Sequence, residues 1–236
     1  MLYNIKVMKK ILRKIVAIGG GDIRTAGTKA IDQEIIRLSG KKNPKVLFIP
    51  TASSDSKKYW HYFDKYYEGK LHCKTDVLFL LNNNLVRSEI ENIILSSDII
   101  YVGGGNTLKM MKLWRKLGVD VILKKAWDKG IVLCGLSAGS ICWFDSGHSD
   151  SMSFYNKKKW KYINVKGLGF IKGVHCPHFN SHTLGKFRKD DFKKMMGKIG
   201  GMGIGIDNNC AIEFVDDKFR VITSKANAKA YKVFME

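Results

Sequence analysis

Proline is scarce in this 236-residue chain, three in all, and no low-complexity or linker-like tract interrupts it, so little is present from which to build an interdomain hinge. No apolar run approaches the roughly 20 residues that a membrane span needs. Near the N-terminus, Lys9-Lys10-Ile11-Leu12 is broken by Arg13-Lys14 before a signal-peptide core can form. The five cysteines, at 73, 134, 142, 176 and 210, are odd in number and contain no C-x-x-C pair. They read as reduced thiols, used as small hydrophobes in a cytoplasmic protein. Acidic residues are few, 21 against 41 Lys and Arg, which leaves a net charge of +20. The lysines are nonetheless scattered in short clusters such as Lys57-Lys58 and Lys124-Lys125, with no arginine-rich arm and no aromatic RNA-binding signature. A solvated lysine-rich surface is the expectation, and nucleic acid is not an expected partner.

What is present is enough apolar residue, 45%, to bury a sizeable core. One domain over 1–236, with residues 1–14 as a basic N-terminal extension, is the simplest division. Ile15-Val16-Ala17-Ile18 is a short β-branched run ending in Gly19-Gly20-Gly21-Asp22, which predicts a buried strand and a glycine loop. That loop lacks the G-x-G-x-x-G spacing of a dinucleotide site, and no acidic residue closes the next strand. Helices are predicted at 28–38, 59–67, 89–95, 107–117 and 119–128, and strands at 46–49, 76–81, 98–102 and 131–134. The aromatics at 59, 60, 62, 63, 66 and 67 fit a helix that covers a sheet. Beyond residue 150 the pattern predicts strands at 167–171, 203–206, 211–215, 219–223 and 230–234, and a helix at 186–199. Alternating helices and doubly apolar strands predict an α/β fold, a mostly parallel sheet with helices on both faces, closed by an antiparallel C-terminal edge.

In such a sheet the ligand sits beyond the carboxyl ends of the strands. Two small-residue motifs fall there, Gly103-Gly104-Gly105-Asn106-Thr107 and Gly135-Leu136-Ser137-Ala138-Gly139. The second follows an apolar run and precedes the helix-like Ile141–Phe144, the pattern of a nucleophile elbow, though so short a motif also fits an ordinary Gly-Ser turn. A helix starting at that turn would aim its free N–H groups and the positive end of its dipole at the site. Serine needs a base, and the base needs a group to orient it. His61 and His72 lie in or near the aromatic helix and read as surface or packing residues, whereas His148, His175, His178 and His182 lie downstream of Ser137. Within Pro177-His178-Phe179-Asn180, His178 is placed in a loop after an apolar strand. The competing use of His175, His178 and His182 is as metal ligands, but Pro177 breaks any helix aligning 175 with 178 and no thiolate or carboxylate completes a recognised spacing. Neither metal nor cofactor is expected.

Gly-Gly-Gly-Asn-Thr at 103–107, Gly-Leu-Ser-Ala-Gly at 135–139, Ser149-Asp150 and Pro-His-Phe at 177–179, in this order and spacing, resemble the peptidase E family of aspartyl dipeptidases. That family is related to cyanophycinase and shares a fold with class I glutamine amidotransferase domains. The resemblance implies Ser137 as nucleophile, His178 as general base, Gly104 and Ala138 as oxyanion donors, and Asn106 on the substrate. It implies Asp150 as a required acidic residue near the substrate's amino end or the histidine, and Arg188 as partner of the substrate's acidic side chain. Where relatives carry a triad glutamate, this chain reads Gly205-Ile206-Asp207-Asn208-Asn209, which aligns Asn208 with that position and leaves Asp207 and Glu213 as alternatives.

The expected activity is that of a serine hydrolase acting on a small acidic substrate, foremost an Asp-X dipeptide, in a protein that is monomeric or homodimeric. Cyanophycin-type aspartyl amides form a second expectation. A non-catalytic binding protein for an anionic ligand is the third, supported by the asparagine at 208.

Overall fold

The computed structural model describes residues 10–81, 84–183 and 185–234. The first half of the chain alternates strictly. β1 (Lys14–Ile18), α1 (Lys29–Ser39), β2 (Lys45–Ile49), α2 (Lys57–Tyr67), β3 (Lys74–Val77), α3 (Arg87–Leu95) and β4 (Ile99–Val102) lead into α4 (Thr107–Leu117), α5 (Val119–Asp128) and β5 (Val132–Leu136). β1 begins at Lys14, inside the stretch read as an extension, and residues 1–9 lie outside the described residues. Its five parallel strands, with β12 (Cys210–Val215) and β13 (Lys218–Thr223) added antiparallel beyond β1, form a seven-stranded sheet in the order β13-β12-β1-β5-β4-β2-β3.

Alternation along the strands sends successive side chains to opposite faces. Val16, Ile18, Val46, Phe48, Ile99, Tyr101, Val132 and Cys134 meet Ile31 and Ile35 of α1 and the aromatics of α2 on one side. Phe48 stacks on Phe63 at 4.2 Å between ring centroids and Phe63 on Tyr67 at 4.3 Å, so the aromatic helix spends its rings on the core. Ile15, Ala17, Leu47, Ile49, Ile100 and Leu133 face α3, α4 and α5 on the other. All five cysteines are buried and free. Among the described residues no helix is long and apolar enough to cross a membrane.

The second half departs from the sequence pattern. α6 (Ala138–Ile141) is a single turn, and the chain goes straight into β6 (Phe144–Ser149), then β7 (Ile163–Lys166) and β8 (Ile171–Cys176). The helix expected through Phe144 and the strand expected over 167–171 fail together, because the two segments bind each other. Leu168 N–H donates to the Cys142 carbonyl, Gly169 N–H to Phe144 and Ile171 N–H to Trp143. Those carbonyls are then unavailable to a helix, and 167–170 becomes a connector.

After β9 (His182–Thr183), β10 (Lys186–Phe187) and α7 (Arg188–Ile199) come β11 (Gly203–Ile206) and, at the end, β14 (Ala230–Val233). The strands β14-β11-β8-β6-β7 form a second, five-stranded sheet. The three last strands therefore do not make one edge: β12 and β13 extend the large sheet, whereas β14 pairs with β11 and packs Val233 beside Phe192 of α7. The strand expected over 76–81 is Lys74–Val77 instead. Asp55 accepts from Leu80 N–H and Leu81 N–H, both at 2.6 Å, and draws the chain off the sheet there.

Candidate active site

The carboxyl ends of β1, β4 and β5 lie side by side, and each is continued by a loop of small residues. Ser137 occupies the bend between β5 and α6 with φ 57° and ψ −111°, a region that an L-residue enters only under constraint. The constraint is close packing. A Cβ on Gly135 would lie 2.3 Å from the Gly139 carbonyl oxygen, and one on Gly139 would lie 2.1 Å from that of Val102. Only hydrogen fits at either position, which explains why the serine is flanked by glycine two residues away on both sides. With four residues, α6 offers free N–H groups but little of the dipole expected of a longer helix.

His178 is delivered by the turn after β8, also with a positive φ of 51°, and its own N–H donates to the Gly19 carbonyl. The imidazole Nε2 stands 2.9 Å from Ser137 Oγ, and Nδ1 stands 2.6 Å from Asn208 Oδ1. The asparagine is oriented in turn, its Nδ2 donating to Asn180 Oδ1 at 3.1 Å and Ser181 Oγ at 3.2 Å. Its carbonyl oxygen thus faces the ring, which places the histidine proton on Nδ1 and leaves Nε2 with a lone pair toward the serine. Burial, then the positive charge of Arg188, lowers the His178 pKa, against the opposing pull of Asn208 and Asp150. Gly20 lies beneath the pair: a Cβ there would fall 2.0 Å from Asn208 Oδ1 and 2.3 Å from His178 Nδ1.

Asp207, the alternative to Asn208, is turned away, its carboxylate accepting from Lys229 N–H at 3.0 Å. Glu213 is held by Arg220 at 2.7 Å in β12. Gly104 and Ala138 carry N–H groups with no backbone acceptor among the described residues. Gly104 lies against Ser137, a Cβ there coming 3.3 Å from that of the serine. Asn106 is buried as the N-cap of α4, its Oδ1 accepting from Lys109 N–H at 3.0 Å. One face of its amide is thereby committed to the helix.

Arg188, the first residue of α7, is 4% exposed. Its guanidinium donates to the His148 carbonyl at 2.8 Å, lies 4.8 Å over the Tyr162 ring and reaches Asp150 at a long 3.7 Å, with a buried Nε that has no partner. Asp150 therefore touches the arginine; among the described residues it has no hydrogen bond to His178. The other imidazoles part company. His175 bridges Ser140 and the Ile204 carbonyl, and burial lowers it to about 3. His148 bonds Asp191 and is lowered, chiefly by burial, to about 4. His182 is exposed beside Phe187, and His61 and His72 are exposed.

Three contributors were not evident from sequence: Asn180 and Ser181, which orient Asn208, and Gly20, which makes room for it. Their signal lay in the motifs themselves, directly after His178 and within the first glycine run.

The solved structure of a putative peptidase E protein from Listeria monocytogenes EGD-e superposes with a TM-score of 0.66, at 19% identity, over 90% of this chain and 98% of that one. A peptidase from an acI-B1 actinobacterium gives 0.69, at 19% identity, over 95% and 97%. These likenesses establish the fold. In sequence, the uncharacterized peptidase YgaJ of Bacillus subtilis (strain 168) is 34% identical over 227 residues, 95% of this chain and 93% of the relative. The uncharacterized peptidase Lin0382 of Listeria innocua is 28% identical over 200 residues, 81% and 88%. The profile of peptidase family S51 matches residues 15–222, from β1 into β13 and across every motif of the site, and the chain belongs to that family.

Proposed function

We propose that this peptidase is a serine hydrolase that cleaves Asp-X dipeptides through Ser137, His178 and Asn208. The observation that carries the reading is the continuous relay from Ser137 Oγ through both nitrogens of His178 to Asn208 Oδ1, at 2.9 and 2.6 Å. Ser137 Oγ attacks the scissile carbonyl carbon while its proton passes to Nε2 of His178. The carbonyl oxygen becomes an oxyanion that accepts hydrogen bonds from the N–H groups of Gly104 and Ala138. The C–N bond breaks, the leaving amine takes the proton from Nε2, and water repeats the sequence on the acyl-enzyme.

Asn208 holds the ring in its tautomer and orientation but adds no negative charge as the imidazolium forms. The lowered His178 pKa keeps the base neutral in the resting enzyme. Arg188 supplies the positive charge for an aspartyl side chain, with Asp150 as the group it exchanges for the substrate and as partner for the substrate's amine. Asn106 completes the substrate wall.

The test is labelling of Ser137 by a fluorophosphonate, in the wild type and in His178→Ala. Labelling of the wild type together with turnover of Asp-Leu is the expected result. A wild-type protein that neither labels nor turns over, yet binds an acidic peptide, would instead establish the binding-protein reading that the asparagine favours.

A further inference from the structure

A cavity of about 400 Å3 is lined, among others, by Gly21, Asp22, Arg24, Lys58, Tyr59 and Tyr62. Both of its walls begin at the catalytic centre. One is the loop after β1: Gly20 abuts His178 and Asn208, and a Cβ on the next residue, Gly21, would come 3.8 Å from Leu136 Cδ1, beside Ser137. The other is the first turn of α2, where Tyr59 Cε1 lies 3.1 Å from the position of a Cβ on Gly103, the residue before Gly104.

The cavity's charges are not equivalent. Arg24 is occupied, its Nε and one terminal nitrogen donating to Asp22 at 2.9 and 2.6 Å. Asp22 is itself bound to the Arg24 backbone N–H and caps the short 3-10 turn that follows. Lys58 is exposed and, among the described residues, within ion-pair distance of no carboxylate. Tyr59 and Tyr62 complete the lining. A compact ammonium on a flexible stem, in a cavity shared with two tyrosines and a neutralised pair, suits a single small anion attached to an apolar group of variable size.

We infer that this cavity receives the leaving half of the substrate and that Lys58 binds the free α-carboxylate of the released residue, a specificity role that rests on the hydrolase reading above. It accounts for a dipeptidase rather than a longer-range aminopeptidase: in a longer peptide the second residue has an amide, not a carboxylate, at that position. It also leaves the identity of X open, since the tyrosines make no fixed hydrogen-bonding demand on a side chain.

The test compares Asp-Leu with Asp-leucinamide, and includes Asp-p-nitroanilide, in the wild type, Lys58→Met and Lys58→Arg. The expected result is a wild-type preference for the acid over the amide in kcat/KM that shrinks roughly five- to tenfold in Lys58→Met, through KM, and is retained in Lys58→Arg. Equal kcat/KM for acid and amide in the wild type, or an unchanged ratio in Lys58→Met, overturns the inference while anilide turnover leaves the hydrolase reading standing. Absence of wild-type turnover on all three substrates overturns both.

Discussion

Asn208 Oδ1 lies 2.6 Å from His178 Nδ1, in the place where a carboxylate would carry a charge. Replacing it by glutamate adds that charge and raises the His178 pKa, so the acid limb of the kcat/KM profile should move to higher pH in Asn208→Glu. On the plateau the rate should be kept or increased. Asp207→Asn should matter little, because Asp207 bonds Lys229. A pH–rate series on both variants checks this, and a collapse of activity in Asp207→Asn alone would transfer the role.

Ser137→Ala should abolish turnover by about 10^4-fold or more without lowering Tm appreciably, since it removes one hydroxyl and keeps the strained backbone. The alanine also ends the bond to His178 Nε2. Undiminished hydrolysis in this variant would exclude the proposed chemistry.

Gly20→Ala should act on the triad from below. The added methyl would sit 2.0 Å from Asn208 Oδ1 and 2.3 Å from His178 Nδ1, so the pair must separate. A displacement of that order should cost roughly 100-fold in kcat. Steady-state kinetics beside a far-UV spectrum distinguish a displaced base from an unfolded chain, and wild-type kcat in a folded variant would contradict the geometry.

Arg188 should set the preference for an acidic first residue. Arg188→Lys keeps a positive charge but loses the fork and the stack on Tyr162, and Arg188→Ala loses the charge as well. For Asp-initiated dipeptides the alanine variant should lose about 2–5 kcal/mol in transition-state binding, and for Asn-initiated ones much less. Equal losses on the two substrates would leave the arginine a purely structural residue.

Stability should fall as pH drops from 6 toward 4. His148 and His175 are held at about 4 and 3, below the ordinary histidine value, so in this window the unfolded chain binds two protons that the native state refuses. Asp32, raised by burial to about 6 despite bonds from Tyr67, Thr28 and Tyr66, acts oppositely: the native state keeps one proton that the unfolded chain has lost. His178 is lowered as well and Asp207 is raised by burial, so the lowered imidazoles outnumber the raised carboxyls and stability is greater at higher pH in this window. Asp32→Asn removes an opposing group and should steepen the slope. Tm measured across pH 4–7 tests both statements, and a flat profile in the wild type would contradict them.

The sequence by itself determined the parallel half of the molecule and the positions of its chemistry. Runs such as Val46–Ile49 and Ile99–Val102 are apolar on both faces, and helices of period 3.6 lie between them; those patterns are local and admit one arrangement. Ser137 between glycines and His178 after Pro177 were legible because tight turns demand particular residue types. What local pattern cannot carry is which distant backbone group a segment will bind. Only the tertiary structure decided that 142–144 gives its carbonyls to 168–171 and not to a helix, and that the last strand leaves the large sheet for β11. It alone turned Asp207 to Lys229 and Asn208 to His178, two adjacent residues in the turn between β11 and β12, the second held by an asparagine at 180 that no spacing rule connects to it. Burial decided the rest: the imidazole at 178 meets the Ser137 hydroxyl, whereas the one at 175 is a core group from which desolvation removes the charge.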